Sequence, residues 1–396
     1  MKIAVIHDYA DVFRTTRAYP RLQEHEVIIH TDAYTDPARV VAQVAGCDAL
    51  LLTQQRVPLT RQIIERLPDL RCISQTGRNT NHLDVAACTE HGIVISAGGG
   101  SGGGSPYSTT AELTWGMILA SLRHLPFEVE RLKHGHWHAT VGTRLFGRTL
   151  GIYAFGHIGA AVARVGQAFG MHVVCWGREG STARARAEGF EIAASRAAFF
   201  EQADVLSLHL PGNRETRGII TADDLARMQP TALLVNTSRA PIIAEGALVA
   251  ALHKGRPGFA AVDVYEAEPV VDAQHPLLQM PNALCTPHLG YAERGSYEAP
   301  VHPGCRPVAR LHRRGTHQRG ESGSRWKAVA PSNAPALLDH DANRARKSIA
   351  QRQPHLKTVR AGLDRPEHRF VRVRDRERLA VDIPDDLRRA WFDDNL

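Results

Sequence analysis

Apolar residues arrive in short blocks from the start of the chain. Residues 2–7 (KIAVIH), 26–30 (EVIIH) and 48–53 (DALLLT) are brief and strongly apolar, and longer polar stretches of helical character separate them. Blocks of this length predict buried strands, and strand–helix alternation predicts a parallel sheet. Residues 59–77 repeat the unit, with a helix over 59–66, a proline stop and a strand ending at Gly77, and 82–97 repeat it again. Residues 109–135 carry one long helical pattern with apolar positions on more than one face (Leu113, Trp115, Met117, Ile118, Leu119, Leu122). Such a helix is buried on several sides, by its own subunit or by a partner.

The alternation resumes at residues 148–179 with strand, tight turn, helix and strand, and continues through strands at 203–211, 232–240, 260–269 and 283–290. Helical segments near 222–228 and 245–253 lie between them. At least four strand–helix units in this region predict a doubly wound α/β domain. Between the two regions, Gly98–Gly104 form a run of Gly and Ser with the composition of a flexible connection. After about residue 296 neither period persists, and a Pro-, Arg-, His- and Gly-rich segment reads as disordered.

Charge changes the picture only when the chain is divided. Residues 301–396 carry 21 Lys and Arg against 12 Asp and Glu, whereas 1–300 carry 27 against 29. The basic character belongs to the tail, so the body has no nucleic-acid footprint. In the tail, acids interleave with the arginines (RVRDRER) and no aromatic platform accompanies them, which argues against nucleic acid there too. No apolar run reaches the length of a membrane span and the N-terminus is no signal peptide. The six cysteines are scattered without metal-ligand spacing, so no metal is expected and a reducing cytoplasm fits.

The tight turn is Ala154-Phe155-Gly156-His157-Ile158-Gly159, an A-x-G-x-x-G between strand and helix. Glycines let a backbone bend and approach a pyrophosphate, and the helix N-terminus supplies free amides and a positive dipole end. A Gly-rich turn alone also occurs in α/β proteins without a nucleotide. Eighteen residues after Gly159, where an acidic residue for a ribose 2′-hydroxyl is usual, stands Gly177, followed by Arg178 and Glu179. Gly removes repulsion of a 2′-phosphate and Arg178 adds a cation, so NADP is favoured over NAD; the alternative is a solvated Arg178, with Glu179 partly serving the ribose.

Downstream of the turn, residues 235–248 (VNTSRAPIIAEGAL), 260–269 (AAVDVYEAEP) and 285–293 (CTPHLGYAE) resemble the D-isomer-specific 2-hydroxyacid dehydrogenases, which include glyoxylate/hydroxypyruvate reductases and 3-phosphoglycerate dehydrogenases. The resemblance runs from residue 1 to about 298. It implies a flavodoxin-like substrate domain (1–98) and an inserted Rossmann NAD(P)-binding domain (99–290). The atypical basic tail (291–396) departs from it, since after Glu298 it does not look like the helix and final strand with which the family returns to the first domain. It implies an NAD(P)-dependent oxidoreductase of a small 2-hydroxy or 2-keto acid.

By that resemblance Arg239 binds the substrate carboxylate, His288 exchanges the hydroxyl proton and Glu268 pairs with His288. The chemistry wants these types: a group near neutral pKa for the proton, a carboxylate to orient it, and a planar cationic fork for a carboxylate. Glu268 in place of Gln argues against the related formate dehydrogenases. Cofactor contacts fall to Ala154, Gly156, His157, Ile158, Gly159, Arg178, Pro211, Thr237 and Asp263, although Asp263 is nearly as well suited to capping a turn. Gly77, Arg78 and Asn79 match the loop that holds the substrate carboxylate, with Asn79 where Gly is usual. Family members commonly dimerise, and a homodimer is expected here, with the helix 109–123 as its pattern-based support.

Two readings compete with catalysis by this chain: a catalytically silent nucleotide-sensing protein on the same scaffold, like the C-terminal-binding corepressors, and an enzyme impaired by an altered C-terminus. The abrupt tail has two open origins, an altered reading frame or a genuine basic extension.

Overall fold

The computed structural model describes residues 1–33, 36–76, 80–98 and 108–297. The Gly-rich connection beyond Gly98, the loop of Gly77, Arg78 and Asn79, and the tail from residue 298 onward lie outside the described residues, and so does the disorder expected there.

The first five strands are β1 (Lys2–Ile6), β2 (Glu26–Ile29), β3 (Ala49–Leu52), β4 (Cys72–Thr76) and β5 (Val94–Gly98), with helices α1 (Pro37–Val44), α2 (Arg61–Ile64) and α3 (Val85–Glu90) between them. They form one sheet of order β2-β1-β3-β4-β5 with every pairing parallel. This is the flavodoxin-like order. Both faces are covered: Ala4, Ile6, Leu50 and Ile73 pack toward one core and Ile3, Val5, Leu51 and Cys72 toward the other. Burial on both faces is why these strands read as continuous apolar runs and not as alternations.

Two helices follow, α4 (Ser108–Leu122) and α5 (Leu125–Lys133). The single helix expected over 109–135 is therefore broken. His124 has a left-handed backbone (φ 50°) and Pro126 sits in the first turn of α5, where its missing N–H does no harm. α4 is buried by its own subunit: Ala111, Trp115, Met117, Ile118 and Leu122 join a core with Leu150, Val162 and Val235, and Trp115 Nε1 donates to the Val162 carbonyl at 3.2 Å. The apolar positions used to argue for a partner on this helix are thus largely satisfied within the chain.

The second sheet comprises β6 (Thr149–Tyr153), β7 (His172–Trp176), β8 (Glu191–Ile192), β9 (Val205–Leu208), β10 (Leu233–Asn236), β11 (Phe259–Val262) and β12 (Ala283–Cys285). Its order is β12-β11-β10-β9-β6-β7-β8, again all parallel. α6 (His157–Ala168), α7 (Glu179–Ala187), α8 (Arg196–Gln202), α9 (Ala222–Arg227) and α10 (Ala247–His253) connect the strands. Numbered from β6, the order is the Rossmann 3-2-1-4-5-6 with one strand added beyond the sixth. It reverses between β6 and β9, and such switch points open a crevice at the carboxyl ends of the strands.

Candidate active site

The phosphate turn lies at that reversal. Gly156 caps α6 and its amide donates to the Ala154 carbonyl at 3.1 Å, while a Cβ built there would meet nothing within 4 Å, so the space beside the turn is open. At Gly159 a Cβ would lie 2.4 Å from the Ala154 carbonyl oxygen, so only Gly allows the helix this close to the strand. Ala154 holds a left-handed backbone (φ 75°) where the pattern usually has Gly. α7 braces the turn: the Phe155 amide donates to Ser181 Oγ at 2.6 Å, and Arg184 Nε donates to the Phe155 carbonyl at 3.2 Å. His157 and Ile158 begin the 12-residue helix α6. A helix N-terminus beside open space fits a dinucleotide pyrophosphate.

The other expected cofactor residues follow the strand ends. Arg178 precedes α7, and its Nη2 donates to Glu215 Oε2 at 2.7 Å, both side chains being about two-thirds exposed. Pro211 follows β9, and its carbonyl accepts from Thr216 Oγ1 at 2.5 Å. Thr237 follows β10, buried, with its hydroxyl 2.8 Å from that of Thr114.

Asp263, fully buried at the end of β11, accepts from Thr286 Oγ1 (2.6 Å), the Leu289 amide (2.6 Å) and the Gly290 amide (2.8 Å). Burial raises its pKa, against the pull of those three donors. The carboxylate organises the loop 286–290, and this is the turn-capping alternative for that residue. Within the loop His288 takes a left-handed backbone (φ 54°), a strained state for a non-glycine that needs such support.

His288 and Glu268 meet. Nδ1 of the ring lies 2.7 Å and 2.9 Å from the two Glu268 carboxylate oxygens, and each side chain is only 16 % exposed. Glu268 Oε1 also accepts from the Tyr265 amide at 2.9 Å. Burial alone would push this carboxyl up. The bond and charge of His288, the Arg56 cation and the Tyr265 amide outweigh it and hold Glu268 below the usual carboxylate range.

Arg239 follows β10 and opens a short 3-10 turn; its Nη1 donates to the Ser238 carbonyl at 2.6 Å. It is open to solvent on one side, yet the surrounding protein lowers its pKa from that of a free guanidinium, with Glu268 opposing the shift and Arg56 adding to it. Arg239 is therefore near enough to Glu268 for their charges to interact. Gly77, Arg78 and Asn79 lie outside the described residues, so their place is not part of this geometry.

One group at the pair has no counterpart in the sequence motifs. Arg56, on the segment after β3, donates through Nη1 to Glu268 Oε2, and the same nitrogen lies 3.0 Å from His288 Nδ1. The available signal was its position just past the carboxyl end of a predicted strand, where α/β proteins place binding residues.

An NAD-binding domain model of the D-isomer-specific 2-hydroxyacid dehydrogenases matches residues 115–290. A glyoxylate reductase of Aeropyrum pernix is 34% identical over 301 residues, 72% of this chain and 87% of that protein. A D-3-phosphoglycerate dehydrogenase of Methanocaldococcus jannaschii is 34% identical over 252 residues, 63% of this chain and 47% of that protein. The chain thus spans about half the length of the 3-phosphoglycerate dehydrogenases it matches. A solved phosphoglycerate oxidoreductase from Vibrio cholerae superposes with a TM-score of 0.75 at 43% identity, over 79% of this chain and 99% of that one. The chain belongs to the D-isomer-specific 2-hydroxyacid dehydrogenase family. Its fold carries the family's nicotinamide-nucleotide domain, and no helix among the described residues is long and apolar enough to cross a membrane.

Proposed function

We propose that this chain reduces a small 2-keto acid, or oxidises the corresponding 2-hydroxy acid, with a nicotinamide cofactor. The observation that carries the reading is the His288–Glu268 pair, 2.7 Å apart and largely shielded from solvent at the strand ends of the nucleotide domain. When bound, the cofactor supplies or accepts the hydride. Glu268 orients the ring by accepting from Nδ1–H, so Nε2, which no described residue engages, is the atom that exchanges a proton with the substrate oxygen. Arg239 binds the substrate carboxylate through its planar fork. Gly77, Arg78 and Asn79 are the further substrate contacts we assign.

The cofactor is held by Ala154, Gly156, His157, Ile158 and Gly159, with Pro211 and Thr237 at neighbouring strand ends. Asp263 serves it at one remove, through the loop it organises. Gly177 in the place usual for an acid, with Arg178 beside it, favours NADP; Glu215 pairs with Arg178 and would give it up to a 2′-phosphate. The support for a homodimer moves from α4 to the exposed apolar surface of α5 and the segment behind it, where Val129 is 51%, Trp137 76%, Val141 93% and Phe146 68% exposed.

The test is a spectrophotometric panel of glyoxylate, hydroxypyruvate, pyruvate and phenylpyruvate with NADH and with NADPH, in the parent and in His288→Ala. Turnover in the parent that the variant loses, with cofactor affinity kept, is the expected result. Cofactor binding without turnover on any acid would leave a silent nucleotide-binding protein instead.

A further inference from the structure

Arg56 reaches the catalytic pair from the other sheet. It is 11% exposed, its Nε donates to Gln54 Oε1 at 2.9 Å, and its guanidinium carbon stands 5.8 Å from the centre of the Tyr291 ring. Tyr291 in turn packs edge-on against His288, centroids 5.9 Å apart. The cation is thus fixed on three sides, and its Nη1 serves Glu268 while facing His288 Nδ1. Nδ1 cannot give its proton to Glu268 and also accept from Arg56. The carboxylate is the stronger partner, so the Arg56–Nδ1 approach is a cation set against the ring and not a second bond to it.

We propose that Arg56 is a positioning residue for the His288–Glu268 pair: supplied by the first sheet, it keeps Glu268 ionised and aimed at the ring, and moderates how strongly the carboxylate holds the ring's proton. This rests on the acid/base reading of the pair given above. Arg56 comes to the ring from the Nδ1 side, away from Nε2, so it acts through the pair and not on the substrate. A buried carboxylate needs its charge compensated, and Arg56 is the guanidinium bonded to it. Too strong a carboxylate–imidazole pair would also keep the proton when the substrate needs it, and a neighbouring cation weakens that hold.

Other described groups bear on the pair. From the first sheet, His7 and Tyr9 interact with Arg56, and His82 with His7. Burial leaves both His7 and His82 depressed to about 4 and raises Tyr9 to about 12, so all three are neutral near pH 7. From the second sheet come Arg239, Asp263, Tyr265, Tyr291 and Tyr297. The three tyrosines are pushed upward by burial and stay neutral. Among the described residues, Arg56 and Arg239 are then the cations facing the carboxylate, and Arg56 is the one bonded to it.

The experiment compares the full-length parent with Arg56→Met, Arg56→Gln and Arg56→Lys, each first shown to melt as the parent does. In Met and Gln variants kcat for keto-acid reduction should fall about tenfold, less than the roughly 10²–10⁴ that a general acid–base group itself contributes, while the keto-acid KM changes by less than about twofold. The alkaline limit of reduction should move to higher pH in both, and Arg56→Lys should restore it, because the charge returns without the fork. A KM rise with kcat intact would make Arg56 a substrate ligand and overturn the proposal, as would a pH limit unmoved by Met and Gln. Nitrogen-15 NMR of the His288 ring, assigned with a His288→Gln variant, gives a readout that needs no turnover. Its titration midpoint should rise in Arg56→Met, and an unchanged midpoint overturns the proposal even in a protein that reduces none of the acids tried.

Discussion

Gly212 and Arg239 share one corner of the site: a Cβ on Gly212 would lie 2.6 Å from Arg239 Cγ and 3.1 Å from its Cβ. These are the root atoms of the arginine, so no swing of its far end relieves the clash. Gly212→Ala should therefore displace the guanidinium and raise the keto-acid KM at least tenfold, about 1.4 kcal/mol, with cofactor affinity nearly kept. Steady-state kinetics in both substrates checks this, and an unaltered KM would remove Arg239 from carboxylate binding.

Arg178→Ala should raise the KM for NADPH and leave that for NADH nearly unchanged. A charge-assisted bond to the 2′-phosphate is worth about 1.5–3 kcal/mol, roughly tenfold or more in affinity. In the structure Arg178 is paired with Glu215 in the open, so that exchange of partners is sterically free. An unchanged NADPH:NADH ratio would leave Arg178 a solvated surface residue.

His7 offers a pH test of folding. It is 1% exposed, and burial, opposed by its bond to the Gln54 carbonyl and aided by Arg56, depresses its pKa to about 4. The unfolded chain takes up the proton near pH 6.5 and the folded one near pH 4. Stability is therefore full above the unfolded value and falls as pH drops between the two, by about 3 kcal/mol from this residue. His7→Asn suits the left-handed backbone there (φ 64°) and does not titrate. Urea unfolding near pH 7 and near pH 4 should show a shallower loss in the variant, and parallel losses would contradict the assignment.

Trp137→Glu with Val141→Glu should convert the expected dimer to a monomer in sedimentation velocity, because both side chains are exposed apolar surface and two like charges would face their copies. A dimer that survives the pair places the interface elsewhere.

Much of the fold was legible because parallel strands buried on both faces announce themselves as apolar runs. The strands expected at 2–7, 26–30 and 48–53 stand at Lys2–Ile6, Glu26–Ile29 and Ala49–Leu52. The break at His124 was missed because the apolar spacing continues across it, and Pro126 is as compatible with the start of a helix as with the end of one. In the site, His288 and Glu268 were legible from local motifs, and the structure brings them together. Arg56 was not, since its partners are 212 and 232 residues away and meet it only where the two sheets adjoin. Gly212 was overlooked for the same reason: its requirement comes from the side chain of Arg239, on the next strand's loop.

Asp263 stands toward the loop 286–290 as a metal ion stands toward its ligands, with the signs reversed: one anion at the centre and three donors closing around it. A loop gathered in this way takes its shape when the chain folds. The disorder that a free loop would surrender on meeting a ligand has already been surrendered, so placing the His288 ring subtracts little from the affinity of whatever binds beneath it.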